Sequence, residues 1–125
     1  MIKTWKVIKI HVQENVLTKI FFTIKAVKMV IITKSRLHEY AAEYPDLRDS
    51  IDEWYRKTKD ADWSSFHDIK ETFNSVDYAG NDRYVFNIKG KKYRLVALIH
   101  FDRRTLYIRF LGTHKEYDAI DCSII

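Results

Sequence analysis

The chain has 125 residues, of which 46% are hydrophobic and 31% are charged, as is typical of a single soluble domain. With 3 glycines, 1 proline and 1 cysteine, it predicts no flexible linker, no low-complexity tract and no internal disulfide, which fits a reducing cytoplasm. Lysines interrupt the apolar N-terminal region, so its uncharged stretches are much shorter than the roughly 18 residues that a membrane-spanning helix needs. We therefore expect no membrane span.

The net charge of +5 is distributed unevenly along the chain. Residues 1–28 hold 6 lysines and 1 glutamate, residues 29–82 hold 7 basic and 12 acidic residues, and residues 83–125 hold 9 basic and 4 acidic residues. A basic half on an otherwise neutral domain is a possible footprint for a polyanion. The alternative is that the charged residues only keep the protein surface hydrated, and that the opposite charges of the two halves attract each other.

Residues 1–28 show neither clean strand alternation nor a clear helical period. A second methionine, Met29, begins a part of the chain with much clearer local signals. We interpret residues 1–28 as an extension, such as translated upstream sequence, on a domain that spans residues 29–125. The alternative is an added strand or a basic arm that helps to bind a nucleic acid or a partner.

The first half of this domain predicts one strand and three helices. Residues 30–33 are β-branched and read as a buried strand, followed by a helix over 36–44 that Pro45 ends. A second helix carries an apolar stripe, with acidic residues in its first turns and basic residues in its last turn, as the helix dipole favours. A third, short helix runs to Phe73. The next segment, 74–82, is rich in turn-forming residues and reads as a loop.

Three strands then follow in quick succession, over residues 84–88, 92–101 and 106–111. Their short connections predict hairpins and an antiparallel meander. The fold class is therefore α+β, a small twisted antiparallel sheet with the N-terminal helices packed on one face.

Strand alternation assigns the side chains to two faces of this sheet. Phe86, Leu95, Ile108 and Phe110 fall on one face. The polar residues of the opposite face are Asn87, Arg94, Tyr107 and Arg109. We expect them to converge on the face that the helices leave open. The alternative is that the arginines pair with carboxylates and only close the sheet.

Residues 113–118 bring a histidine, a lysine, two carboxylates and a phenol directly after the last strand. Thr113 and Glu116 have the spacing of a capping box at the start of a helix. Taken alone, the segment favours the interpretation that Thr113 and Glu116 form a helix cap and that His114 is an exposed residue without a role, because caps are far commoner than active sites. The alternative is that the rigid sheet aims His114 as a working residue.

Ordered blocks over residues 29–125 resemble the HigB family of bacterial toxins within the RelE/ParE superfamily. The blocks are Tyr84-Val85-Phe86-Asn87-Ile88, Gly90, Tyr93-Arg94-Leu95-Val96-Ala97, Tyr107-Ile108-Arg109 and Thr113-His114-Lys115-Glu116-Tyr117-Asp118. One departure is the turn Lys89-Gly90-Lys91, where family members often have Gly-Gly-Asn. This exchange adds two cations beside the strand that carries Asn87.

The resemblance implies a RelE-like fold and an mRNA interferase, which is an endoribonuclease that cuts mRNA on translating ribosomes. It also implies a cytoplasmic protein that is inhibited by a HigA-type antitoxin. It also implies 2′-hydroxyl attack on the scissile phosphate without a metal or other cofactor. We assign His114 as general acid or base, Arg94 and Arg109 to the phosphate, and Asn87 and Tyr117 to substrate orientation. Three cations, Lys91, Lys92 and Lys115, would add substrate binding by electrostatic attraction. Glu116 is either a cap or a second acid–base group.

Two other functions remain open on the sequence. One is a ParE-like toxin that poisons DNA gyrase without cutting RNA, which would need neither the histidine block nor the paired arginines. The other is a non-catalytic RNA-binding module, for which His114→Ala would leave toxicity unchanged. The RNase hypothesis requires that His114→Ala or Arg94→Ala abolishes growth arrest while the fold is kept.

Overall fold

The computed structural model describes residues 28–33 and 35–125, so the predicted extension lies outside the described residues except for Lys28. The elements are β1 Val30–Ile32, α1 Ser35–Glu43, a 3-10 turn Pro45–Leu47, α2 Arg48–Lys59, α3 Phe66–Thr72, β2 Val76–Gly80, β3 Arg83–Ile88, β4 Tyr93–His100, β5 Thr105–Thr113 and α4 His114–Asp118. Within this described part, every helix is too short or too polar to cross a membrane.

The five strands form one sheet in the order β1-β5-β4-β3-β2. Strands β2 to β5 are an antiparallel meander, and β1 pairs with β5 in parallel. A parallel neighbour needs a long crossover, and the helices and the first three meander strands provide it. The predicted α+β class is confirmed.

The predicted loop over residues 74–82 is wrong, because Val76–Gly80 form the edge strand β2. Val76 is buried, and the ring of Tyr78 lies 5.1 Å from that of Tyr84 on β3. Asn81 and Asp82 both have positive φ, 52° and 63°, and so make a tight hairpin turn. The strand was missed because Asp, Ala and Gly have low β-propensity, and its pairing with β3 overrides that local preference.

Strand alternation also fails in β5, where a bulge interrupts the pairing with β4. Val96 pairs with Phe110 but Ala97 pairs with Ile108, so Arg109 is an extra residue. Beyond the bulge the two faces of β5 exchange. Leu111, and not Phe110, therefore joins the buried core beside the helices.

The core on the helix-covered face is built around Phe86 of β3. Its ring centroid lies 5.5 Å from Trp54 of α2, 6.4 Å from Trp63 and 5.4 Å from Phe73. Trp54, Trp63 and Phe86 are each at most 2% exposed. The aromatic residues of α2 and of the segments on either side of α3 therefore pack the helical layer onto the sheet, as ordinary core residues do.

The opposite face is partly covered by the C-terminal segment. The amide of Asn81 donates to the main-chain oxygen of Ser123 at 3.0 Å, and Nε of Arg83 donates to that of Ile125 at 2.9 Å. Tyr117 and Cys122 are joined by a 3.4 Å hydroxyl–thiol contact. The C-terminal segment thus covers part of the face that the sequence predicted to be open, and only the part nearest α4 stays open.

A chain that starts at Met29 is expected to fold as the full chain does. Met29 is 1% exposed and belongs to the core, so it must be kept, whereas Lys28 contributes an exposed ion pair with Asp60 at 3.2 Å. Such a pair is worth at most about 1 kcal/mol, which corresponds to a Tm change of about 5 °C. Thermal unfolding measures this, with Lys28→Ala in the full chain as control. Loss of a cooperative transition would show that residues 1–28 stabilise the domain.

Candidate active site

The polar segment after β5 forms α4, whose start is fixed by the sheet and by a complete capping box. The amide of His114 donates to the carbonyl of Lys92 at 3.1 Å, which extends the β4–β5 ladder to the first helical residue. Thr113 Oγ1 accepts from the amide of Glu116 at 3.1 Å, and Glu116 Oε1 accepts from the amide of Thr113 at 2.8 Å. The predicted cap is present, and it holds the backbone of His114.

Glu116 also receives a hydrogen bond from the first helix. The hydroxyl of Tyr40 donates to Glu116 Oε1 at 2.6 Å, and this bond is the main reason that the pKa of Glu116 lies below its usual value. A Cβ on Gly112 would lie 2.7 Å from that same oxygen and 3.1 Å from the Tyr40 hydroxyl. Only glycine allows this close approach. The geometry therefore places Glu116 in the cap of α4.

Tyr40→Phe is expected to destabilise the fold by about 1 kcal/mol near neutral pH, the usual value of one hydrogen bond. Because the pKa of Glu116 is depressed in the folded state, its contribution is present above the unfolded pKa and is lost as pH falls through the folded pKa. The difference between Tyr40→Phe and the unmodified chain should therefore shrink in acid. Urea unfolding at pH 7 and pH 3 measures it, with Tyr107→Phe as control. An equal difference at both pH values would contradict the assignment.

His114 pairs with a carboxylate on its own helix. Its Nδ1 lies 3.0 Å from Oδ2 of Asp118, and both side chains are more than half exposed. A carboxylate at Nδ1 selects the tautomer that is protonated there and leaves Nε2 toward solvent for proton exchange. Sequence reasoning gave Asp118 no role, although the four-residue spacing from His114 on a helix was a usable signal.

Arg94 lies beside this helix on the adjacent strand. Its guanidinium is 5.9 Å from the ring of Tyr117, which is on the same side of α4 as His114, one turn away. Nη1 of Arg94 donates to the carbonyl of Lys91 at 2.8 Å. This bond fixes the side chain and does not use the other N–H groups of the guanidinium. The cross-strand neighbours of Arg94 are Asn87 and Gly112.

Tyr117 is a protonated phenol in this environment. Its hydrogen bond with Cys122, together with burial, raises the pKa of Tyr117 to about 12, although the nearby Arg94 acts in the opposite direction. A phenol with such a pKa can donate a hydrogen bond but cannot serve as a base near neutral pH. The predicted orienting role of Tyr117 is compatible with this state.

The remaining predicted site residues are divided between this cluster and the rest of the surface. Asn87 is opposite Arg94, and its amide donates to the hydroxyl of Ser75. Lys92 points toward the helical layer, where its Nζ lies 3.6 Å from Oδ2 of Asp46. Lys91 and Lys115 are exposed. The structure thus makes Asn87 the cross-strand neighbour of Arg94 and directs Lys92 to a carboxylate.

Arg109 is the extra residue of the bulge in β5. Its guanidinium is 5.8 Å from the ring of Tyr107, and it lines a groove with Glu39 and Glu43 of α1. The structure pairs Asn87 with Arg94 across β3 and β4, whereas the bulge places Arg109 in the groove beside α1. Convergence of all four polar residues stays a prediction. Among the described residues there is no group of three or more His, Cys, Asp or Glu side chains arranged to hold a metal ion.

An α+β fold of this kind, in which the last strand of an antiparallel meander leads directly into α4, is consistent with the class of RelE-like toxins. The family described as HigB_toxin, RelE-like toxic component of a toxin-antitoxin system, matches residues 47–120. The chain belongs to this HigB toxin family.

Curated relatives support the same family. The chain is 33% identical over 99 residues to the mRNA interferase toxin HigB of Escherichia coli K12, covering 72% of this chain and 88% of that protein. It is 29% identical over 94 residues to the mRNA interferase HigB of Escherichia coli O6:H1, covering 74% and 91%. A HigB of Shigella flexneri is 33% identical over 99 residues, again with 72% and 88% covered.

Proposed function

We propose that this toxin is an endoribonuclease that cleaves mRNA by attack of a ribose 2′-hydroxyl on the adjacent phosphate. The names of the relatives, mRNA interferase, support this activity. The observation that carries the proposal is the pairing of His114 Nδ1 with Asp118 at 3.0 Å on α4, the helix whose Tyr117 ring lies 5.9 Å from the guanidinium of Arg94. This arrangement has a proton-transfer group, a group that orients it, and a fixed cation for phosphate.

The reaction requires two proton transfers and the stabilisation of charge on phosphorus. The 2′-oxygen loses its proton and bonds to phosphorus, and the 5′-oxygen leaves and gains a proton, which yields a 2′,3′-cyclic phosphate and a 5′-hydroxyl. His114 performs one of the two transfers through Nε2, and Asp118 stabilises the imidazolium form.

Arg94 is proposed to contact the scissile phosphate, where a guanidinium forms two parallel charge-assisted hydrogen bonds. The phenol of Tyr117 and the amide of Asn87 orient the nucleotides on either side. Arg109, which the bulge displaces, would contact a neighbouring phosphate of the same RNA strand. Lys91 and Lys115 are exposed cations that raise the local concentration of RNA, and Lys92 does so to a smaller extent because Asp46 partly neutralises it.

A toxin of this family has an antitoxin partner. We propose that the antitoxin is of the HigA type, that cleavage takes place on the ribosome, and that the protein acts in the cytoplasm. The basic second half of the chain, with 9 basic and 4 acidic residues, supports attraction to RNA.

The direct test is induced expression followed by mapping of cellular mRNA 5′ ends. New 5′-hydroxyl ends that appear within minutes of induction, and are absent with His114→Ala, support the endoribonuclease. Growth arrest without new ends favours the ParE-like alternative, in which gyrase is the target. Arrest that persists unchanged in His114→Ala favours a non-catalytic RNA-binding module.

Arg94→Ala is expected to reduce cleavage about 100-fold or more, as loss of one preorganised donor to a developing oxyanion does in other enzymes. Cleavage of a reporter mRNA in a translating extract measures the rate at equal toxin concentration. Arg103→Ala, in the exposed turn between β4 and β5, is the matched control and should keep the rate. Equal rates for both variants would remove Arg94 from the proposed site.

A further inference from the structure

A groove of about 400 Å³ lies between α1 and the last part of β5, next to the proposed active site. β1 pairs only with Thr105 to Tyr107, so that within residues 28–33 and 35–125 the later residues of β5 have no strand on that side. Its lining residues are Glu39, Tyr40, Glu43, Arg109, Phe110 and Leu111.

The groove is continuous with the His114 cluster. The ring of Phe110, at its floor, is 6.4 Å from the ring of Tyr117 on α4. Tyr40, in its wall, donates its hydroxyl to Glu116 in the cap of the same helix. An RNA strand with its scissile phosphate at Arg94 and His114 would therefore extend into this groove with a flanking nucleotide.

The charges of the groove distinguish the two parts of a nucleotide. Glu39 and Glu43 are four residues apart on α1 and so share one side of that helix, and both are exposed. These carboxylates repel phosphate but accept hydrogen bonds from amino groups. Arg109, on the opposite wall, attracts phosphate. A nucleotide is thereby oriented with its base toward α1 and its phosphate toward β5.

We propose that this groove is a specificity subsite that holds one nucleobase flanking the cleaved bond and favours bases with an exocyclic amino group. Carboxylates read cytosine through its N4 amino group, and uracil has a carbonyl oxygen at that position, which a carboxylate repels. Phe110 contributes an aromatic surface on which the base stacks. The subsite rests on the proposed endoribonuclease function.

The double variant Glu39→Gln with Glu43→Gln tests the subsite, because a glutamine amide can donate as well as accept and so tolerates uracil. Mapping of mRNA 5′ ends after induction should show, at one position flanking the cut, uracil about tenfold more frequent than with the unmodified toxin. Glu71→Gln, an exposed glutamate of α3 that pairs with His67, is the matched control and should leave the base profile unchanged.

Binding of short RNAs gives a second readout that does not need cleavage. Fluorescence anisotropy with the His114→Ala protein should show labelled pentacytidine bound about tenfold more tightly than pentauridine, a pair that isolates the amino group among pyrimidines. The glutamine variants in this background should lose the difference.

The outcomes separate the subsite from the proposed function. An unmodified toxin that produces no new ends overturns both. Cleavage by the double variant with an unchanged base profile overturns the subsite alone, as does equal affinity of the His114→Ala protein for the two RNAs.

Discussion

His114→Ala should reduce the rate of mRNA cleavage by 10²- to 10⁴-fold, the usual contribution of a positioned acid or base. The imidazole is the side chain in the cluster best suited to exchange protons near neutral pH, since the phenol of Tyr117 has its pKa raised to about 12. His114 is exposed, so its truncation removes no core packing and should leave the thermal transition in place. Reporter cleavage in a translating extract, with Tm measured in parallel, distinguishes loss of chemistry from loss of fold.

Asp118→Asn provides the graded comparison for this prediction. The asparagine keeps the size of the side chain but removes the charge that stabilises the imidazolium, and we expect about a tenfold loss, equivalent to one hydrogen bond. Asp118→Glu keeps the charge and should recover part of the rate. A toxin that retains full cleavage with His114→Ala would refute the assignment of His114, whatever the effect of Asp118.

Phe86→Ala should destabilise the domain by about 3–5 kcal/mol, the range found when a large aromatic residue is removed from a core. Phe86 is 1% exposed, and its ring contacts Trp54, Trp63 and Phe73. The cavity would separate α2 from β3. Since small domains are stable by only about 5–15 kcal/mol, the alanine variant can be largely unfolded at 37 °C.

Phe86→Leu keeps this prediction measurable, because the leucine fills part of the cavity and should cost less than the alanine while the chain stays folded. Urea denaturation gives both free energies of unfolding. Val30→Ala is the control on an exposed strand position, where the side chain is 49% accessible, and should change stability by less than 1 kcal/mol. A loss below 1 kcal/mol for Phe86→Ala would show that the aromatic cluster does not hold the helices to the sheet.

Much of the helical layer could be predicted from the sequence. The apolar stripe of α2, which includes Ile51 and Trp54, has helical spacing, and both residues are buried as expected. The capping box at Thr113 and Glu116 was also readable, because a cap depends on residues only three positions apart. Local periodicity and local hydrogen bonds suffice for these features.

The site was only partly predictable, because sheet pairing decides where its side chains lie. That Asn87 and Arg94 share a face followed from strand alternation, and the structure pairs the two residues across β3 and β4. The position of Arg109 did not follow, since nothing in the residues of β5 marks the bulge that its pairing with β4 creates. The groove beside α1 is equally invisible in the sequence, because it depends on where the parallel strand β1 ends.

The sequence by itself determined the fold class, the family and the segment at 113–118, since amphipathic spacing, turn residues and ordered motifs are local properties. The tertiary structure alone decided that β2 is a strand, that a bulge sets Arg109 beside α1, and that Tyr40 donates a hydrogen bond to Glu116 of the cap. Each of these depends on contacts between residues distant in the chain, whose free energies exceed the weak local preferences of the residues involved.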